Sequence, residues 1–224
     1  MKIAAYILST VCSCLLVVAS YKKFLPISLS EAFGFITGAL CVWLTVKENI
    51  WNWPVGIAND IFFVVVFWES RLFADMTLQF LYIALGFLGW YQWLYGGEQK
   101  SPLRISSIGW RLAFALLIAT FAVTAALTIY LRSVHDSAPF WDAFTTVLSL
   151  VAQYLLTRKI LQNWLVWITA DFIYIGLYLY KGLALTSLLY LIFLLMCVAG
   201  WREWRASLSA LPTTNPLLPE LSTE

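Results

Sequence analysis

The chain is poor in charge. Only 12% of its 224 residues are Asp, Glu, Lys or Arg, against roughly 25% in aqueous globular proteins. Apolar residues make up 62%, more than a soluble domain of this size can bury. The composition is that of a polytopic membrane protein. Histidine is almost absent: His135 is alone, in a polar loop. Four cysteines (Cys12, Cys14, Cys41, Cys197) lie inside apolar runs without a CxxC spacing. They read as small apolar fillers, which excludes a disulfide framework and a metal cluster. HExxH, GxSxG and P-loop motifs are missing, so nothing points to hydrolysis, to ATP-driven pumping or to a cofactor. A net charge of +2 gives no reason to expect nucleic acid.

What is present is long hydrophobic runs. A helix needs about 20 apolar residues to cross the hydrocarbon core. Seven candidates run over 31–47, 53–69, 73–95, 108–131, 141–157, 163–180 and 183–203. Residues 3–20 are an eighth, read as a retained span rather than a signal peptide, because the run is long and its cleavage pattern poor. Short linkers hold most of the charges, and Pro54 reads as a helix start. With eight spans, nine of the 14 Lys and Arg fall on the side of the 47–52 and 158–162 loops. That side is expected to be cytoplasmic, together with the C-terminus.

The chain also resembles itself. Shifted by 111 residues without a gap, Glu31–Trp93 lies over Asp142–Trp204. Asn52-Trp53 meets Asn163-Trp164, Asp60 meets Asp171, Gly89-Trp90 meets Gly200-Trp201, and Trp93 meets Trp204. Apolar matches are cheap in such a composition; these are not. Each copy holds three spans, with one more between them, so the copies share an orientation. The expected fold is all-α: a seven-helix 3+1+3 core of two parallel three-helix repeats, plus an extra N-terminal helix. In residues this gives an N-terminal hydrophobic segment (1–28), a first repeat (29–96), a linker with a central helix (97–138), a second repeat (139–204) and a disordered cytoplasmic tail (205–224). Internal repeats of this kind mark transporters, with substrate bound near the midplane between the copies.

Asp60 lies about 10 Å into its helix at 1.5 Å per residue, and Asp171 lies at the same depth in the other copy. An intramembrane carboxylate costs about 2.5–3.5 kcal/mol on insertion scales and usually faces a cavity or a partner. The plainer reading is a helix-packing residue. Trp164, Trp167, Asp171, Tyr174 and Tyr178 share one helical face. Rings beside a carboxylate suit a flat cationic ligand. Trp53, Asn59, Asp60 and Phe63 form a weaker version in the first copy. Gln79, and Tyr190 at its repeat position, sit inside spans. An amide at Gln79 suits hydroxyls or a carboxamide, or else a bond between helices. Gly34 and Gly38, four residues apart, allow close helix approach.

These stretches resemble a known family. "NWPVGIAND", "LFADMTLQFLY", "GFLGWYQW", "FWDAFTTVLSLVAQYLLTRKILQNWLVWI" and "GWREW" are similar to the nicotinamide riboside transporter (PnuC) family. The likeness runs from about Leu29 to Trp204 and is most specific over Trp141 to Trp167. It implies a SWEET-like seven-helix core and uptake of a small cationic vitamin across a bacterial inner membrane. It further implies facilitated diffusion with trapping by a cytoplasmic kinase, and assembly as a homotrimer. Carried over residue by residue, it implies a site at Trp53, Asn59, Gln79, Trp164, Trp167 and Asp171. An Asn can occupy the Asp171 position in members that carry nicotinamide riboside. The residues leave open thiamine or another vitamin as substrate, and proton-coupled symport as mechanism.

Overall fold

The computed structural model describes residues 29–210 apart from 70, 72, 136, 181 and 183. The expected N-terminal span and most of the tail lie outside the described residues. Seven α-helices follow in order: α1 (Leu29–Val46), α2 (Asn52–Glu69), α3 (Phe73–Tyr95), α4 (Trp110–Ser133), α5 (Pro139–Thr157), α6 (Asn163–Tyr180) and α7 (Ala184–Ser209). Each coincides with an expected span to within a few residues at its start. The last differs at its end: the helix continues through Ser209, so residues 205–209, expected in the tail, are helical. "REWRASLS" has good helix formers and no breaker, so the turn propagates past the apolar run.

One helix, α4, is built inside out relative to a helix of a soluble protein. In α4 the buried residues are Thr120, Thr124 and Thr128, a stripe spaced by four. Phe114, Ile118, Phe121 and Ile129 are exposed on the surface beside that stripe. Water would penalise that face; lipid accepts it. Each threonine hydroxyl with a partner in this stripe returns to its own helix, as Thr120 does to the Leu116 carbonyl at 2.7 Å and Thr128 to Thr124 at 2.7 Å.

Packing follows a closed order. α1 packs on α2, α2 on α3, α3 on α5, α5 on α6, α6 on α7, and α7 back on α1. α4 stands outside this ring, against α5. At one end of the ring, four buried tryptophans form a chain. Trp53 meets Trp93 at 5.4 Å, Trp93 meets Trp204 at 5.9 Å, and Trp204 meets Trp164 at 5.4 Å between ring centroids. Trp93 Nε1 donates to the Leu156 carbonyl at 3.0 Å and Trp204 Nε1 to the Thr45 carbonyl at 3.1 Å. The rings of Trp53 and Trp164 lie against Gly89 and Gly200, where a Cβ would collide with them.

The same end is closed by charge. Two residues after the ends of α1 and α5 come Glu48 and Lys159, both in left-handed backbone with φ 52° and 53°. These two residues pair with each other at 2.9 Å. Lys159 is buried, donates to the Leu103 carbonyl at 3.1 Å, and lies 4.7 Å from the Trp93 ring centroid. Lys47 and Glu203 add a second pair at 2.7 Å. The linker is pinned to this end through Ser106, whose N–H donates to the Lys159 carbonyl and whose carbonyl accepts from Leu161.

Candidate functional site

The expected site residues do not form one cluster. They sort into three places along the ring.

Trp53 and Trp164 are 3% and 2% exposed. Both belong to the tryptophan core at the ring's closed end. Their Nε1 atoms are buried without a hydrogen-bond partner, as are the Oδ1 atoms of the adjacent Asn52 and Asn163. Equivalent residues of the two copies thus leave the same polar atoms unpaired.

One to two turns further along α6 lie Trp167, half-buried against that core, and Asp171, buried at 5% exposure. The Cys197 thiol of α7 donates to Asp171 Oδ2 at 3.5 Å. Tyr174 continues the line. Its ring lies 4.7 Å from Tyr190 of α7 and 6.0 Å from Tyr178. Tyr190 then meets Phe193, which meets Phe35 of α1. An aromatic ladder therefore flanks Asp171 on the α6–α7 seam and reaches α1.

The first copy is furnished differently. Asn59 Nδ2 donates to the Gly34 carbonyl at 3.2 Å and to Thr37 Oγ1, both on α1. Its amide hydrogens are spent in joining two helices. Gly34 permits this approach, since Phe63 of α2 lies directly over its Cα. Asp60, next in sequence, points elsewhere. It lines a cavity of about 50 Å³ with Asn52, Trp53, Gly56, Gly86 and Gln153. Gln79 lies on α3, half-buried, with no hydrogen bond among the described residues. One turn on, the Tyr82 hydroxyl is bonded to Ser149 of α5 at 2.6 Å.

The two carboxylates differ in their surroundings. Gly56 and Gly86 line the cavity beside Asp60, packed against Cys41 and Ile57, and their repeat positions hold Trp167 and Cys197. Asp171 is buried with the Cys197 thiol on it. The amide of Gln153 has an apolar counterpart, Val42. Sequence reasoning missed Gln153. Its signal was the same as that of Gln79: a lone amide within an apolar helix.

Comparison with known proteins places this ring of helices. The model of the nicotinamide mononucleotide transporter family matches residues 28–206. The chain belongs to this family. It is accordingly a multi-pass membrane transporter and not an enzyme, and the resemblance read from Trp141 to Trp167 is borne out. The nicotinamide riboside transporter PnuC of Escherichia coli (strain K12) is 29% identical over 204 residues, covering 80% of this chain and 85% of that protein. The riboflavin/roseoflavin transporter RibM of Streptomyces davaonensis is 25% identical over 179 residues, covering 78% and 84%. Among solved structures, the crystal structure of the vitamin B3 transporter PnuC matches with a TM-score of 0.67 at 22% identity, over 90% of this chain and 92% of that one. The fold of the family member solved there is therefore the fold of this chain.

Proposed function

We propose that this family member takes up nicotinamide riboside by facilitated diffusion across a bacterial inner membrane, and that a cytoplasmic kinase traps the substrate by phosphorylation. One observation carries the choice of substrate. Asp60 and Asp171 sit at membrane depth, and the only Lys or Arg in the six ring helices are Arg202 and Arg205, near the end of α7. A mononucleotide would bring a phosphate of about −1.5 to −2 charge to two carboxylates with no Lys or Arg side chain beside them to meet it. A pyridinium riboside brings one positive charge and no phosphate. Riboflavin is neutral and leaves Asp171 without a counter-charge. Thiamine remains the second reading, because its thiazolium is also a flat cation.

Within this reading Asp171 balances the pyridinium and Trp167 and Tyr174 stack on it. Gln79 has donors and acceptor free for ribose hydroxyls. Asn59 holds α2 against α1 and leaves its carbonyl oxygen to the site. Trp53 and Trp164 form the floor on which these residues stand. The 50 Å³ beside Asp60 is far below the roughly 300 Å³ of a small-ligand pocket, so substrate entry requires the ring helices to part.

The same reading takes the ring as two parallel three-helix repeats about an axis along the membrane normal, the 3+1+3 arrangement. Its support is the register. Trp93 bonds the Leu156 carbonyl while Trp204 bonds the Thr45 carbonyl, and Leu156 is the repeat position of Thr45. Glu48 and Lys159 are likewise repeat partners. The C-terminus is placed in the cytoplasm, which side-specific labelling of a Ser209→Cys variant checks. Trimer assembly is checked by light scattering in detergent.

Titration calorimetry of the purified protein tests the substrate. Nicotinamide riboside should bind, with nicotinamide mononucleotide and riboflavin at least tenfold weaker. Mononucleotide binding as tight as that of the riboside would overturn the charge argument. Tighter thiamine binding would select the second reading.

A further inference from the structure

We propose that the cavity beside Asp60 is a site for a monovalent metal cation of the size and hardness of Na⁺. Three oxygen-bearing side chains line it: the Asp60 carboxylate, the Asn52 amide and the Gln153 amide. Asn52 is 2% exposed, its Nδ2 donates to Thr45 Oγ1 at 3.2 Å, and its Oδ1 is buried without a partner. Neither Asp60 nor Gln153 makes a hydrogen bond or ion pair among the described residues. Native proteins rarely leave a buried amide oxygen such as Asn52 Oδ1 unpaired, and a bound ion or water is one explanation where they do; Asp60 and Gln153 are partly buried.

Charge selects the ion. Asp60 brings a negative charge into a region of α2, α3 and α5 that holds no Lys, Arg or His. Size excludes an organic cation, since about 50 Å³ admits a small ion with one or two waters and no aromatic ring. The donor set excludes a transition metal: it has one carboxylate and two amide oxygens, and no group of three His, Cys, Asp or Glu occurs among the described residues. Carboxylate and carbonyl oxygens suit hard cations. The second copy shares the unpaired amide oxygen, at Asn163, but not the rest of the lining. There Trp167 and Cys197 stand at the positions of Gly56 and Gly86, Val42 stands at that of Gln153, and Asp171 takes a thiol as its partner. The ion at Asp60 is thus a resident counter-charge of the closed ring, whichever organic substrate the transporter carries.

The test is thermal unfolding of the intact protein in detergent, in NaCl against choline chloride at equal ionic strength. Na⁺ should raise the midpoint by a few degrees, as ligands of a native state do. Asp60→Asn should abolish that difference, and Gln153→Ala should shrink it. Asp171→Asn should keep it. Each variant is compared with its own choline reference, so a loss of stability does not mimic a loss of ion binding. Direct binding of ²²Na⁺ to the wild type should saturate and vanish in Asp60→Asn. Equal midpoints in NaCl and choline chloride, or a Na⁺ effect surviving in Asp60→Asn, would overturn the site. A midpoint that follows pH and ignores Na⁺ would overturn it in favour of a proton on Asp60. None of these readouts depends on substrate uptake, so failure here and failure of the riboside assignment are separable.

Discussion

The Glu48–Lys159 pair is the contact on which closure of one end of the ring should depend. The two side chains are 29% and 10% exposed and meet at 2.9 Å. An exposed pair contributes about 0–1 kcal/mol, whereas breaking a buried one costs about 3–5 kcal/mol because a charge is left stranded. Lys159 would not be wholly stranded, since the Leu103 carbonyl and the Trp93 ring remain on it. Glu48→Gln should therefore destabilise by about 1–2 kcal/mol, between those limits. Lys159→Met should cost more, because it removes all three contacts. A double-mutant cycle isolates the pair, and its coupling should be about 1 kcal/mol. Backbone strain is separable. With φ at 52°, Glu48→Gly relieves a left-handed conformation worth about 1 kcal/mol, so it should destabilise less than Glu48→Gln. The assay is reversible thermal or chemical unfolding followed by tryptophan fluorescence, since Trp93 lies under Lys159. A coupling near zero would refute the reasoning, and so would Glu48→Gly proving worse than Glu48→Gln.

Three further outcomes follow from the geometry. Gly200→Ala would place a Cβ 2.5 Å from the Trp164 ring, and Gly89→Ala would do the same to Trp53; each should cost about 1–3 kcal/mol as an overpacked core does, read by unfolding midpoint. Trp93→Phe and Trp204→Phe each remove one indole-to-carbonyl bond; the losses should be about 1 kcal/mol apiece and similar to each other, and strongly unequal losses would argue against equivalent roles. Asp171→Asn preserves an acceptor for the Cys197 thiol but removes the charge, so the unfolding midpoint should hold while affinity for a cationic nucleoside falls about tenfold or more, a loss of at least one charge interaction at low dielectric.

The helices were legible because bilayer thickness and apolar run length fix them almost independently of packing. The 111-residue register stood out because Asn-Trp, Asp and Gly-Trp are expensive or bulky residues that chance does not align. The faces were harder. Trp164, Trp167, Asp171 and Tyr174 lie on one stripe, yet the structure seals Trp164 into a core while leaving Trp167 half-buried. Periodicity shows that residues share a face; it does not show how far a neighbouring helix covers it. Asn59 is a similar case, since its partners Gly34 and Thr37 lie on a different helix. Gly34 and Gly38 were legible only as a close-approach pattern, and they turn out to meet Phe63 of α2 and Phe193 of α7. Gln153 passed unnoticed because its repeat position, Val42, is apolar, so the register that drew attention to Asp60 drew none to it.

The central claim is that a cationic nucleoside, and not its phosphate, crosses through this ring. Uptake into proteoliposomes without any kinase measures that most directly. Labelled nicotinamide riboside should enter saturably, stop at equal concentration on both sides, and exchange with unlabelled riboside, while labelled mononucleotide stays outside. Mononucleotide entering at a comparable rate, or no riboside flux above protein-free liposomes, would contradict it.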